Sequence, residues 1–154
     1  MAEDIQSRLR ALGVELPDAP SAIANYVPWQ RCGEMLYVSG QISRDGHGRV
    51  LAGQLGSTTT IEQGQTAARW CALSILAQAQ SALGNLDRIA QIVRLTGFVA
   101  ATPEFRDHPQ VLNGASDFLV ALLGDKGRHT RAAVGVASLP LGAAVEIDAI
   151  MRVL

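Results

Sequence analysis

Two short apolar runs near the end of the chain constrain its fold more than any other feature. They occupy residues 130–138 and 143–150 and are separated by Leu139-Pro140-Leu141-Gly142. Runs of β-branched and small residues around a proline–glycine turn are typical of a β-hairpin. The sequence therefore predicts a terminal hairpin.

The alternation of side chains along this hairpin predicts which residues share a face of the sheet. Side chains alternate between the two faces of a strand, and cross-strand neighbours share a face. Only one register puts both apolar rows on one face, and those rows are Ala132, Val134, Val136, Val145, Ile147 and Ala149. That register places Arg131, Glu146 and Asp148 together on the opposite face, where small neighbours leave room for a ligand or another subunit.

Two longer segments have the apolar spacing of amphipathic helices. The first begins with the capping-box pattern of Thr60 and Gln63 and ends before Gly84, and the second runs from Asp107 to Gly124. Residues 3–12 are expected to form a short additional helix, and residues 26–31, 35–39 and 88–101 are expected to form strands. This order predicts an α/β fold of the α+β kind, a mixed sheet with the two main helices on one face.

Length and composition exclude several classes of protein. The 154 residues fit one domain, residues 1–154, with residues 1–24 as an N-terminal extension. A net charge of -1 and 5% aromatic residues offer neither a basic stripe nor stacking surfaces for nucleic acid. Cys32 and Cys71 lack ligand spacing, so no metal is expected. Without an apolar run of about 20 residues or a visible secretory signal, we expect a cytoplasmic protein that does not enter membranes.

The predicted arrangement also leaves one face of the sheet without cover from its own chain. If both helices pack on the same face, the opposite face with Arg131 and Glu146 is bare. Other subunits would cover such a face most simply. The pattern therefore predicts self-association.

The C-terminal run from Arg131 to Ile150, R-x-x-V-x-V-x-x-L-P-x-G-x-x-V-E-I-D-A-I, resembles the signature of the YjgF/YER057c/UK114 family, the Rid proteins. Two further segments resemble the family's opening hairpin and second helix; they are Tyr26-Val27 with Gly33 and Val38-Ser39-Gly40-Gln41, and Val111-Leu112-Asn113 before Phe118. The resemblance covers about residues 25–152. It implies a chorismate-mutase-like fold and homotrimers with ligand clefts at subunit boundaries.

The resemblance also implies an activity and the residues that carry it. The best-studied members deaminate reactive 2-enamines and 2-imines, and no cofactor is expected. Arg131 would bind the carboxylate of a small 2-imino or 2-oxo acid, and Glu146 would activate water.

Four further positions would line the site by the same resemblance. Tyr26 and Asn113 would form its wall, and Gly40 would allow close approach of the backbone. Ala133 stands where much of the family has cysteine, so thiol chemistry is not expected there.

Three alternatives remain open at this level. Arg131 could form a structural ion pair with Glu146 or Asp148. The chain could be a small-carboxylate-binding regulatory trimer without catalysis, or a ribonuclease or translation inhibitor, which the acidic charge balance disfavours. A hydrolase triad of Ser39, His129 and Asp148 matches by residue type only, because the G-x-S-x-G motif is absent.

Overall fold

Five strands form one mixed sheet in the order β1-β2-β5-β3-β4. They were located in a computed structural model that describes residues 3–154. The strands are β1 Trp29–Cys32, β2 Met35–Ile42, β3 Ile89–Ala100, β4 Thr130–Val136 and β5 Val145–Val153. Strands β3 and β4 are parallel, and the other paired strands of the described chain are antiparallel. The sheet is therefore mixed, as predicted.

Three α-helices accompany the sheet: α1 Ile5–Ala11, α2 Ile61–Leu83 and α3 His108–Leu123. The predicted capping box of α2 is confirmed, because the Thr60 side chain accepts from the Gln63 amide and the Gln63 side chain accepts from the Thr60 amide. Gly84 ends this helix with a positive φ of 75°, a conformation that favours glycine. Helix α3 provides the crossover between the parallel strands β3 and β4.

The two long helices pack on the same face of the sheet. Helix α2 contacts β2 and β5, α3 contacts β3 and β4, and the helices contact each other. The strand residues that face them are fully or almost fully buried; they include Leu36, Val38, Leu95, Val99, Ile147, Ala149 and Met151. The predicted fold class, a mixed α/β architecture with two main helices on one face, is confirmed.

The predicted terminal hairpin is wrong. Strands β4 and β5 follow each other in sequence, yet β3 lies between them and pairs with both. The turn before β5 is a short 3₁₀ segment, Pro140–Gly142, which carries the chain past the end of β3. Both apolar runs are strands, but instead of pairing with each other they both pair with β3, which lies 30 or more residues earlier in the chain, and β5 also pairs with β2.

The predicted sharing of faces is wrong for the same reason. Arg131 is level with Leu95 of β3, and Leu95 is level with Ala149 of β5, so these three lie on the helix face. Val134 and Glu146 are both level with Phe98 and lie on the opposite face. Inserting β3 changes the parity of the pairing, and Arg131 and Glu146 consequently lie on opposite faces of the sheet.

The face away from the helices is only partly covered by its own chain. Tyr37 and Val134 are 46% and 42% exposed, and Phe98 and Ile150 are half-buried. We call this surface the outer face.

No helix among residues 3–154 is long and apolar enough to span a membrane.

Gly114 provides a test of the helix packing. A Cβ at this position of α3 would overlap the backbone of Gln65 on α2, which cannot move aside alone. Gly114→Ala should therefore lower the free energy of unfolding by about 1–3 kcal/mol, although alanine favours helix. Denaturant unfolding would measure the change. The exposed Ser81→Ala on α2 is the control and should be neutral or slightly stabilising; equal behaviour of the two variants would contradict close packing at Gly114.

Candidate functional site

A cleft on the outer face brings together three of the residues expected in the site. It lies between the irregular segment 20–28 and strands β2 and β5, and its volume is about 220 Å³. Tyr26, Gly40 and Glu146 line it and also line an adjoining depression that extends to Asp148. Tyr26 is 52% exposed and lies before β1. The strand predicted at residues 26–31 in fact begins three residues later, at Trp29.

A β-bulge places Gly40 against the carboxylate of Glu146. Val38 pairs with Ala149 and Gln41 pairs with Ile147, so Ser39 and Gly40 together oppose the single residue Asp148. A Cβ at position 40 would overlap Oε1 of Glu146. Glycine therefore leaves room for the Glu146 carboxylate at this position, and a larger residue would displace it. The expected approach of this backbone to a ligand stays a prediction.

The same bulge turns Gln41 toward the helices. Its side chain is buried, and its Oε1 accepts from Nε2 of Gln78 on α2 at 3.4 Å. Gln78 also donates to the Pro20 carbonyl at 2.7 Å. The segment that forms one wall of the cleft is thereby attached to the core of the molecule. Neither glutamine belonged to the site expected from the sequence.

Glu146 is a partly buried acid without an ion-pair partner among residues 3–154. The two ion pairs found there join Arg49 to Asp45 and Arg128 to Asp125. Burial raises the pKa of Glu146, and the nearby Asp148 carboxylate raises it further. A carboxyl with a raised pKa is suited to transfer protons near neutral pH.

Arg131 is held on the other side of the sheet by helix α3. Its Nη1 donates to Ser116 Oγ at 3.1 Å, and its Nη2 donates to the Pro109 carbonyl at 3.3 Å. No carboxylate of the described chain lies within ion-pair distance of Arg131. The alternative of a structural ion pair with Glu146 or Asp148 is therefore not found within one protomer.

His129 completes the surroundings of Arg131. Its Nε2 lies 2.9 Å from Ser116 Oγ, and its Nδ1 lies 2.6 Å from the Gly127 carbonyl. Burial lowers the pKa of His129; the positive charge of Arg131 also lowers it, while the Gly127 contact opposes the shift. Ser39 instead donates to the Val27 carbonyl, so Ser39 and His129 do not form part of a triad.

The structure separates the six expected site residues into two groups. Tyr26, Gly40 and Glu146 line the cleft of the outer face. Ala133 shares the helix face with Arg131 and is half-buried, and Asn113 lies on α3 between the two residues that bind Arg131, lining a shallow groove between α2 and α3. Arg131 and Glu146 lie on strands either side of β3 and are offset by three residues along the strands. Their Cα atoms are therefore about 14 Å apart.

Residues near the two groups add two side chains that the sequence did not single out. Arg44 lines the cleft and donates to the Gly48 carbonyl. Ser116 binds both His129 and Arg131, and no sequence signal marks an isolated serine on a helix. Among residues 3–154, no cluster of three or more metal-ligating side chains was found.

The sequence and the structure are similar to those of several known proteins. The family described as "YjgF/chorismate_mutase-like, putative endoribonuclease" matches residues 6–150. Protein TCP17 of Trypanosoma cruzi is 46% identical over 96% of this chain and 93% of its own. A Shewanella oneidensis crystal structure with the same endoribonuclease description is 36% identical, with a TM-score of 0.94 over 98% of this chain and 100% of that chain. Escherichia coli TdcF with bound serine is 25% identical, with a TM-score of 0.65 over 90% and 95% of the two chains.

The raised pKa of Glu146 predicts a pH-dependent cost in stability. The folded chain binds this proton more tightly than the unfolded chain, so wild type should lose stability as pH rises from about 4.5 through the raised pKa. Glu146→Gln cannot ionise; we therefore expect its stability relative to wild type to be greater at pH 7 than at pH 4.

Thermal unfolding at the two pH values measures this difference. The exposed Glu104→Gln serves as the matched control and should show no such change. A Glu146→Gln variant whose stability relative to wild type is the same or lower at pH 7 than at pH 4 would contradict the prediction.

Proposed function

We propose that this chain, which belongs to the YjgF/chorismate mutase-like family, hydrolyses 2-imino acids to 2-oxo acids and ammonia with its own side chains. The observation that carries the proposal is Glu146, a partly buried carboxyl of raised pKa that faces an open cleft. An imine carbon is electrophilic, so hydrolysis requires little more than a base for water and a group that orients the substrate.

Arg131 supplies the orienting group in this proposal. A guanidinium has five N–H donors, and the contacts to Ser116 and Pro109 use two of them, which leaves three. The positive charge is not compensated by a carboxylate of the described chain. Such a group matches the α-carboxylate of a 2-imino acid and would contribute about 1.5–3 kcal/mol to binding.

Arg131 and Glu146 belong to one site only if two protomers contribute. Within one protomer they lie on opposite faces of the sheet, with their Cα atoms about 14 Å apart. The outer face carries exposed apolar side chains, Tyr37 and Val134 among them, that a second protomer would bury. We therefore propose a homotrimer in which Arg131 of one protomer completes the cleft of another.

Glu146 would move protons in both halves of the reaction. It takes a proton from water as the water oxygen bonds to the carbon of the protonated imine and the π electrons of the C=N bond become a lone pair on nitrogen. The resulting carbinolamine carries hydroxyl and amino groups on one carbon. Glu146 then returns its proton to the nitrogen. The C–N bond breaks as the Glu146 carboxylate takes up the hydroxyl proton, which leaves a 2-oxo acid and ammonia.

The TdcF structure supports the size and charge of the ligand. TdcF holds serine, a small molecule with a carboxylate and a nitrogen on the same carbon. A 2-imino acid has the same two groups at the same separation. The outer-face cleft of this chain, at about 220 Å³, is smaller than the pockets of about 300–1,000 Å³ that hold drug-sized ligands, as expected for a ligand of this small class.

Complementation between inactive protomers tests the shared site. 2-Aminoacrylate is generated by a pyridoxal-phosphate-dependent dehydratase, and pyruvate release is followed. Arg131→Ala should lower kcat/KM by about 10- to 100-fold and Glu146→Gln by about 100-fold or more. After denaturation and refolding of the two variants together, about a quarter of the sites in a cyclic assembly should carry both native residues and regain activity.

Each variant refolded alone is the control for this experiment. A mixture no more active than its components would contradict a site shared between protomers. Unchanged imine hydrolysis by both single variants would contradict the catalytic proposal, and Arg131-dependent binding of pyruvate without turnover would select the carboxylate-binding alternative.

Gly40→Ala tests the position of the base. The new Cβ would displace the Glu146 carboxylate, and a displacement of about 1 Å can reduce catalysis about 100-fold. We expect kcat to fall by about 10- to 100-fold in the wild-type background. In a Glu146→Gln background the same substitution should add little, and a full additional loss there would show that Gly40 acts independently of Glu146.

A further inference from the structure

We infer that Ser116, oriented by His129, positions the Arg131 guanidinium for binding the substrate carboxylate. The inference rests on the proposed function, because it takes Arg131 as the carboxylate-binding group. It assigns a positioning role to two side chains that lie outside the cleft.

The direction of each hydrogen bond follows from the chemistry of the partners. The Gly127 carbonyl can only accept, so Nδ1 of His129 carries a proton and donates to it. In the neutral ring, Nε2 is then an acceptor, and the Ser116 hydroxyl donates to it across 2.9 Å. The hydroxyl proton of Ser116 is thereby turned away from Arg131.

This orientation presents the Ser116 oxygen to the guanidinium as an acceptor. Nη1 of Arg131 donates to it at 3.1 Å, and Nη2 is fixed separately by the Pro109 carbonyl. Both terminal nitrogens are therefore held by groups of α3, which fixes the plane of the guanidinium. A fixed plane matters because two parallel hydrogen bonds to a carboxylate require a defined orientation.

The partners that hold Arg131 are neutral. A hydroxyl and a peptide carbonyl fix the guanidinium without compensating its charge, whereas a carboxylate in their place would compete with the substrate. His129 is also kept neutral, since burial lowers its pKa. The arrangement thus combines a fixed orientation with a positive charge that remains available to an anionic ligand.

Three variants and one background test this role. Ser116→Ala removes the acceptor, and because alanine favours helix the variant should fold. Ser116→Thr keeps the hydroxyl. Thr130→Val is the matched control. It removes a hydroxyl that lies one residue before Arg131 and donates to the Val93 carbonyl. For each variant, KM and kcat are measured in imine hydrolysis and the Kd of pyruvate by calorimetry. The same measurements are made for Ser116→Ala in the Arg131→Ala background.

We expect Ser116→Ala to raise KM and the pyruvate Kd by about 5- to 10-fold while kcat stays within about twofold of wild type. Ser116→Thr should restore most of the affinity, and Thr130→Val should resemble wild type. Ser116→Ala should add nothing once Arg131 is alanine, because the group that it positions is gone.

Other outcomes separate the inference from the proposal beneath it. If Arg131→Ala weakens pyruvate binding but Ser116→Ala does not, the positioning role is overturned and the proposed function stands. Equal losses in Ser116→Ala and Thr130→Val would overturn it as well, since they would reflect general destabilisation. If Arg131→Ala changes neither KM nor Kd, both the inference and the carboxylate-binding role of Arg131 fail.

Discussion

Strand β3 pairs with β4 on one side and with β5 on the other, and these two ladders determine which side chains can meet in one protomer. Side chains at the same level of neighbouring strands share a face, so the register with Leu95 places Arg131 toward the helices and the register with Phe98 places Glu146 away from them. No rotamer change can reverse this separation. A site that uses both residues must extend over more than one chain, and the exposed outer face is the surface on which another chain would pack.

The bulge in β2 has opposite effects on stability and on chemistry. It inserts Ser39 and Gly40 opposite Asp148, which interrupts the ladder but allows the backbone to approach the Glu146 carboxylate. The acid is left partly buried and close to a second acid, a combination that raises its pKa and opposes ionisation in the folded chain. Features that disfavour the charged form are common where a group must exchange protons, and bulges are common beside such groups.

Local features of the fold were predictable from the sequence, and non-local ones were not. The capping box at Thr60 and the glycine at position 84 depend on neighbours within a few residues, and both occur as predicted. The pairing of the two final strands depended on β3, which is distant in sequence, and a turn at Pro140 looks the same whether or not another strand intervenes. For the site, Tyr26, Gly40 and Glu146 line one cleft, whereas the parity argument wrongly placed Arg131 on the same face of the sheet as Glu146 within one protomer. The contact of Ser116 with His129 crosses from a helix to the start of a strand and has no sequence signature.

The amide of Gln78 links the cleft to the opposite side of the sheet. Both of its N–H bonds have partners, Pro20 in the cleft wall and Gln41 in the bulged strand, and its own backbone belongs to α2. A displacement of α2 along its axis would therefore pull on both walls of the cleft at once. The width of the cleft therefore depends on the packing of α2 in the interior. Substitutions that alter this packing would change the width without contacting a ligand.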